Sequence, residues 1–261
     1  MPPRILDEIH GLGYEPDLHD YRDRIFSVSV AAMDLPVDVA PIDQDFPIYD
    51  QDGANACVGF AYKAASQIVL LRVEGKRVSI SPHFIWWNAR AALGWSQVNA
   101  GCRIRDAIKV GNDYGAASSE TCPWDPAKFA AAPTMEAYEQ AKDHPLFDYA
   151  VVQTAHDAKV ALAAGMPVIF GTALTESFNL VGRNGGFFVT PDGELIGGHA
   201  MVLVGYDDAV RFPGYGAARG GFRVRNSWTE RWGDKGYLWL PYVHFDSDAV
   251  QDAWVLRGIR E

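Results

Sequence analysis

From residue 56 to 72 the apolar residues Phe60, Ala61, Ala64, Ala65, Ile68, Val69 and Leu71 recur at helical spacing, which predicts a long buried helix with Asn55 placed to cap its start. Pro82 opens a second helical stretch over 83–93, and 104–113 reads as a third, stopped near Gly115. Between Cys122 and Pro145 the chain reads as loop with a short helix over 135–143. After Asp148 the period changes. Residues 149–152 and 168–172 read as strands around a helix over 155–164, and 187–190, 200–204, 222–225 and 237–240 as short strands between turn signals such as Asp192-Gly193. A helical half over about 50–148 followed by a β half over about 149–261 is an α+β pattern, its β part an antiparallel sheet or barrel. The cleft between two such halves is the default place for a site. Residues 1–48 show little periodicity beyond Ile5–Ile9 and read as an N-terminal leader followed by extended chain.

Composition narrows the function classes. The 261 residues suit one or two domains at ~150 residues each, and 48% hydrophobic with 21% charged residues is the balance of a folded, water-soluble chain. Twenty-three Lys and Arg against 33 Asp and Glu give a net charge of -10 with no basic cluster, which disfavours nucleic acid and anionic membrane as partners. The start meets acidic residues within seven positions and lacks an apolar core, so no Sec-type signal is read and a cytoplasmic location is expected. Cys57, Cys102 and Cys122 are the only cysteines, leaving two readings: three free thiols, or a Cys102 to Cys122 bridge.

Cys57 falls in the first turn of the long helix, where the partial positive charge of the N-terminus favours a thiolate; a small core residue is the bland alternative. Gln51, six residues earlier, can swing an amide donor toward whatever the sulfur attacks, as an oxyanion hole requires. His199, after Gly197 and Gly198 and at the mouth of the apolar run 200–204, can face a cleft, unlike the other six histidines, including His10 and His144. Asn226 offers an amide to orient that imidazole, and Trp228 a ring to shield the bond from water.

Gln51, Cys57, His199-Ala200 and Asn226-Ser227-Trp228, followed by Trp232-Gly233 and Gly236-Tyr237, together resemble the papain family of cysteine peptidases, over about Leu35-Pro36 to Asp252-Ala253-Trp254. The resemblance implies a two-lobed fold over 35–261, with residues 1–34 as a leader packed on the body. It implies Cys57 as nucleophile, His199 as general acid/base, Asn226 as its orienter, Gln51 as oxyanion donor and Trp228 as cover for Asn226. Asn99, Ala100 and Gly101 look like the family segment that pairs with substrate backbone, and Val168 and Gly198 like walls of the pocket for the second residue upstream of the cut. That pocket is expected to be apolar, with Asp246 or Asp248 the residues that would change it.

The expected substrate is a peptide or protein, with no metal or organic cofactor. An acyl transferase or glutamine deamidase using the same triad, and a catalytically silent binding module, are the alternatives. Val58 stands where the plant and lysosomal pattern has Trp, Asn55 and Thr229 where it has Gly, and Ala54 where it has a half-cystine. Ile80-Ser81-Pro82-His83-Phe84 and Trp87-Asn88-Ala89-Arg90 look more like disulfide-poor bacterial members. Inhibition by a folded prodomain is not expected, and 14–24 are expected to pack on the body.

Overall fold

The computed structural model describes residues 11–27, 34–143 and 147–259. Ile5–Ile9, His10 and His144 lie outside them. A two-residue strand β1 (Asp38–Val39) precedes helix α1 (Cys57–Glu74), whose first fourteen residues are all buried. A helix apolar or small on every side belongs in an interior, and α1 lies there, packed against the helices α2 (Pro82–Ala92) and α3 (Ile104–Tyr114) and against the sheet. Pro82 opens α2 as expected, with the Ser81 hydroxyl accepting the Phe84 N–H at 3.1 Å. Asn55 does not cap α1. Its N–H and side-chain amide instead donate to Asn99 Oδ1 and O at 3.0 and 2.8 Å, so the helix start carries no side-chain cap and its first N–H groups are left for the Cys57 sulfur. The short helix α4 (Met135–Ala141) closes the helical half.

The β half contains β2 (Phe147–Val151), helix α5 (Ala155–Ala163), β3 (Val168–Thr175), the 17-residue β4 (Leu195–Arg211), β5 (Arg219–Arg225), β6 (Tyr237–Pro241), the one-turn α6 (Tyr242–Phe245) and β7 (Val250–Ile259). The strands form one antiparallel sheet in the order β2-β7-β3-β4-β5-β6, with β1 added on β4. The sheet is open rather than a closed barrel, because β2 and β6 end the order without pairing. No strand forms over 187–190: only Phe187 bridges to Trp239, since Gly185 and Gly186 turn the chain at positive φ just before it. β7 lies between β2 and β3, although the hydrophobic pattern gives no strand there.

Apolar side chains gather in two clusters, one around α1 to α3 and one between the sheet and α5. Asp43, ahead of α1, pairs with Arg225 at the end of β5 at 2.6 Å, both buried, and Asp43 also accepts the Tyr237 hydroxyl at 2.9 Å. Removing one partner of such a pair costs about 3–5 kcal/mol, so the residue after Arg225, Asn226, is held on a fixed end of β5. All three cysteines are buried free thiols.

Candidate active site

Cys57 is the first residue of α1, and its sulfur accepts the Ala200 N–H from β4 at 3.4 Å. The N–H groups of Val58, of Cys57 itself and of Gly13 also face it. His199 precedes Ala200 in β4, and its Nε2 lies 2.8 Å from Asn226 Oδ1. The same oxygen accepts the Ser227 backbone N–H at 2.8 Å. An N–H can only donate, so this atom of Asn226 is the oxygen, and the neutral His199 ring carries its hydrogen on Nε2. That leaves Nδ1 as the basic nitrogen of the ring. Trp228 stacks on the imidazole at 4.6 Å and 30° and is in turn packed edge-on by Phe178 and Trp232, which keeps water from the His199 to Asn226 bond. Thr229 holds a left-handed φ of 64°, a conformation that favours glycine and is a strained choice for a β-branched residue.

Gln51 is buried beside this group. Its Oε1 accepts the Ser227 hydroxyl at 2.7 Å, and its Nε2 donates to the carbonyls of Ala54 and Gly11 at 2.7 and 2.8 Å. Cys57, His199, Asn226, Trp228 and Gln51, drawn from three stretches of sequence at 51–57, 199 and 226–228, are thus brought to one place where the two halves meet.

The N-terminal segment runs through this place. Gly11 offers its carbonyl to Gln51, Gly13 its N–H to the Cys57 sulfur and its carbonyl to the Cys102 N–H at 3.0 Å. Tyr14 N–H donates to the Gly198 carbonyl and Glu15 N–H to the Cys102 carbonyl, both at 3.1 Å. Asn99 is bonded to Asn55 and the Ala100 carbonyl accepts Trp86 Nε1–H, while Gly101 leaves room for this run: a side chain at Gly101 would overlap the Gly13 carbonyl, and one at Gly198 the Tyr14 carbonyl. Residues 14–24 do lie against the body, with Tyr14 on Gly198, Asp17 on Asp252 and Asp23 on Arg105, and the run 11–15 also crosses the cleft. The segment needs no folded prodomain, because backbone hydrogen bonds at the cleft hold it. Cys57 and His199 are fully buried beneath it. Burial pushes the Cys57 thiol up to about 11, against the lowering by the four N–H groups. What faces the sulfur is an N–H, not a carbonyl carbon, so the segment presents no electrophile there.

Val168 does not reach the cleft. It is buried in the cluster under the sheet, paired with Leu203 and Val255, while His199 pairs with Thr172 four residues further along β3. The residue of β3 facing the cleft is Gly171, against which the Tyr14 ring lies. Opposite Gly171 on β7 stands Asp252, whose Oδ2 accepts the Tyr14 hydroxyl and, at 2.8 Å, the Asp17 N–H. Sequence reasoning missed Gly171, Asp252 and the segment. The signal for the last was the alternation Gly11-Leu12-Gly13-Tyr14, which puts side chains on one face only. Among the described residues, no group of three or more His, Cys, Asp or Glu side chains is gathered as a metal ion requires, and no helix is long and apolar enough to cross a membrane.

A family model described as papain family cysteine protease matches residues 46–246. Among solved structures, xylellain, a cysteine protease from Xylella fastidiosa, shares 30% identity with a TM-score of 0.82, covering 97% of this chain and 98% of its own. Procathepsin B S9 from Trypanosoma congolense, at 17% identity and a TM-score of 0.73 over 98% and 87% of the two chains, shares the fold. A peptidase C1-like protein of Acanthamoeba polyphaga mimivirus is 28% identical over 237 residues, 85% of this chain and 73% of that one.

Proposed function

This chain belongs to the papain family of cysteine proteases, and on that premise we propose that it hydrolyses peptide bonds through Cys57, His199 and Asn226 with Gln51 as oxyanion donor. The observation that carries this reading is the tautomer fixed at His199. Its Nε2 hydrogen is committed to Asn226, so Nδ1 is the atom that exchanges the proton with Cys57.

With the N-terminal segment lifted, the Cys57 sulfur gives its proton to Nδ1 and attacks the carbonyl carbon of a peptide bond. The N-terminal dipole of α1 favours the resulting thiolate. The oxygen that takes up negative charge is held by Gln51 Nε2–H and the Cys57 N–H; that Gln51 Nε2 already donates to a carbonyl oxygen, that of Gly11 at 2.8 Å, supports its part in this. A donor of this kind contributes about 10²–10³ in rate. As the C–N bond breaks, the imidazolium returns its proton to the leaving amine and a thioester remains on Cys57. Water, deprotonated by Nδ1, attacks the thioester and releases the acid, restoring the thiol. The proposed substrate is a peptide or protein, and the chemistry uses no cofactor.

Asn226→Ala tests the role given to the orienting amide. It is expected to lose only part of the 10²–10⁴ that a positioned acid–base group supplies, roughly 10- to 100-fold in kcat with KM little changed. Steady-state kinetics with a fluorogenic peptide read this. A loss as large as that of Cys57→Ala, together with loss of the thermal transition, would make Asn226 a structural residue instead.

A further inference from the structure

Away from the cleft, the N-terminal segment is tied to the body a second time. The Phe26 N–H donates to the Val151 carbonyl of β2 at 2.7 Å, and the Arg24 carbonyl accepts the Val151 N–H at 2.8 Å. Between this anchor and the one at the cleft, residues 17–25 roof a pocket of about 490 Å³, a size that takes a small organic molecule. Its other walls are β7 over 250–254, the end of β2 at Val151 and Val152, and Phe245 of α6. Gly171, Gly198 and His199 do not border it, so it is a separate place from the cleft.

The polar part of the wall is anionic: Asp17, Asp20, Asp23 and Asp252 against the one guanidinium of Arg105. That guanidinium is bonded to Asp23 at 2.5 Å, and Asp20 is taken up by Arg22. Asp17 and Asp252 are left without a cation of their own. Asp17 accepts the Arg105 backbone N–H at 3.2 Å and Trp254 Nε1–H at 2.8 Å. Asp252 accepts the Tyr14 hydroxyl and the Asp17 N–H on Oδ2, while its Oδ1 has no bond among the described residues. Burial, and after it the charge of Asp252, push the Asp17 carboxyl up to about 7, and Arg105 offsets only part of this.

We propose that this pocket binds an organic amine, its ammonium between Asp17 and Asp252 and its apolar body against Val152, Phe245 and Val250, and that the bound amine holds the N-terminal segment closed over Cys57. The walls select this class. An anion would meet four carboxylates and a guanidinium already engaged. A bare metal ion finds no group of three or more His, Cys, Asp or Glu side chains gathered among the described residues. A neutral molecule leaves the two carboxylates facing each other, whereas an ammonium gives each a charge-assisted donor and removes their repulsion. Because 17–25 form the roof, the site is whole only in the closed chain, and a ligand of the closed form draws the chain toward it by mass action. The proposal goes beyond the peptidase reading and does not depend on it.

The test uses the full-length chain, with phenethylamine as the probe and phenylethanol and phenylpropionate as its neutral and anionic counterparts. Titration calorimetry at neutral pH is expected to show one site for the amine and binding at least ~10-fold weaker for each counterpart, the loss of a bond to a charged group. Asp17→Asn and Asp252→Asn, both checked for an intact thermal transition, are each expected to weaken the amine by at least ~10-fold. Iodoacetamide labelling of Cys57 reads closure. At ten times its dissociation constant the amine is expected to slow labelling about 10-fold, since only the open chain is labelled. An azido derivative of phenethylamine, photolysed on the parent chain, is expected to mark 17–25 or 250–254, and excess phenethylamine to prevent this. No binding, equal binding of the three probes, affinity unchanged in both variants, binding that leaves the labelling rate unchanged, or photoadducts confined to 198–201 at the cleft each overturns the proposal. Peptide cleavage is measured separately, so its failure would strike the peptidase reading and leave this site standing.

Discussion

Gly13→Ala is expected to raise peptide turnover by the full-length chain at least ~10-fold, the equivalent of weakening closure by about 1.4 kcal/mol. A methyl group at Gly13 would overlap the carbonyl oxygen and carbon of Asn55, and one at Gly11 those of Ala54. Both obstacles are backbone atoms at the entrance to α1, tied to Asn99 and Gln51, and they cannot swing aside as a side-chain tip can. The segment therefore has to lift. Lifting breaks the bonds from Gln51 to Gly11, from Cys102 to Gly13 and from Tyr14 to Gly198 together, and it opens the sulfur to solvent.

The same substitution should change how Cys57 responds to pH. In the closed chain the thiol pKa is pushed up to about 11 by burial, above the ~8.5 of a free thiol. A raised pKa means that closure prefers the protonated thiol: the contribution is complete below ~8.5 and is lost as pH rises through about 11. Alkylation of the parent chain by iodoacetamide should therefore climb late, and that of Gly13→Ala at lower pH. The expectation of a neutral-pH thiolate made from the sequence belongs to the open form. Asp17 acts in the same direction. Burial beside Asp252 pushes its carboxyl up to about 7, so its contribution to closure is complete below the ordinary ~3.9 and is lost as pH rises through about 7. Turnover by Gly13→Ala equal to or below that of the parent, with an unchanged thermal transition, would mean that the segment does not restrain the site.

Cys57→Ala is expected to reduce turnover by at least ~10⁴-fold, because the nucleophile and its base act as a unit and removing either removes the covalent route. The fold should hold. Cys57 behaves as a small buried residue at the start of α1, and the cavity left by the sulfur costs ~1 kcal/mol or little more. The contrast with Asn226→Ala matters, since both residues lie in the same buried group but the proposed mechanism has only Cys57 form a bond to the substrate. Kinetics alongside a melting curve separate the two effects. Residual turnover within 10-fold of the parent would assign the chemistry to another group.

Cys57, Gln51, His199, Asn226 and Trp228 could be recognised in the sequence because each sits in a fixed local frame: a helix start, a strand mouth after two glycines, or an amide-aromatic turn. The position of Val168 could not. Placing it at the cleft assumed that the start of β3 borders the cleft, but register puts His199 opposite Thr172 and leaves Val168 beneath the sheet. Register is a long-range property that no local spacing states. Strand β7 escaped for a related reason. Asp252 and Arg257 interrupt its apolar alternation, and Asp252 instead accepts the Tyr14 hydroxyl from the N-terminal segment. The N-terminal segment gave no hydrophobic period because its hold on the cleft is mostly backbone hydrogen bonding, for which glycine is the useful residue. Asn55 looked like a helix cap by type and position, and it joins two loops instead.

The central claim is that Cys57 carries the acyl group between attack and release. Mixing full-length Gly13→Ala with a peptide ester, quenching in acid within the first turnover and mapping the mass by fragmentation tests it directly. The account predicts one acyl group per chain, on the peptide containing Cys57, lost on raising the pH with hydroxylamine and absent from the Cys57→Ala double variant. Ester cleavage that proceeds at full rate with no adduct, or with the adduct on a residue other than Cys57, would contradict it.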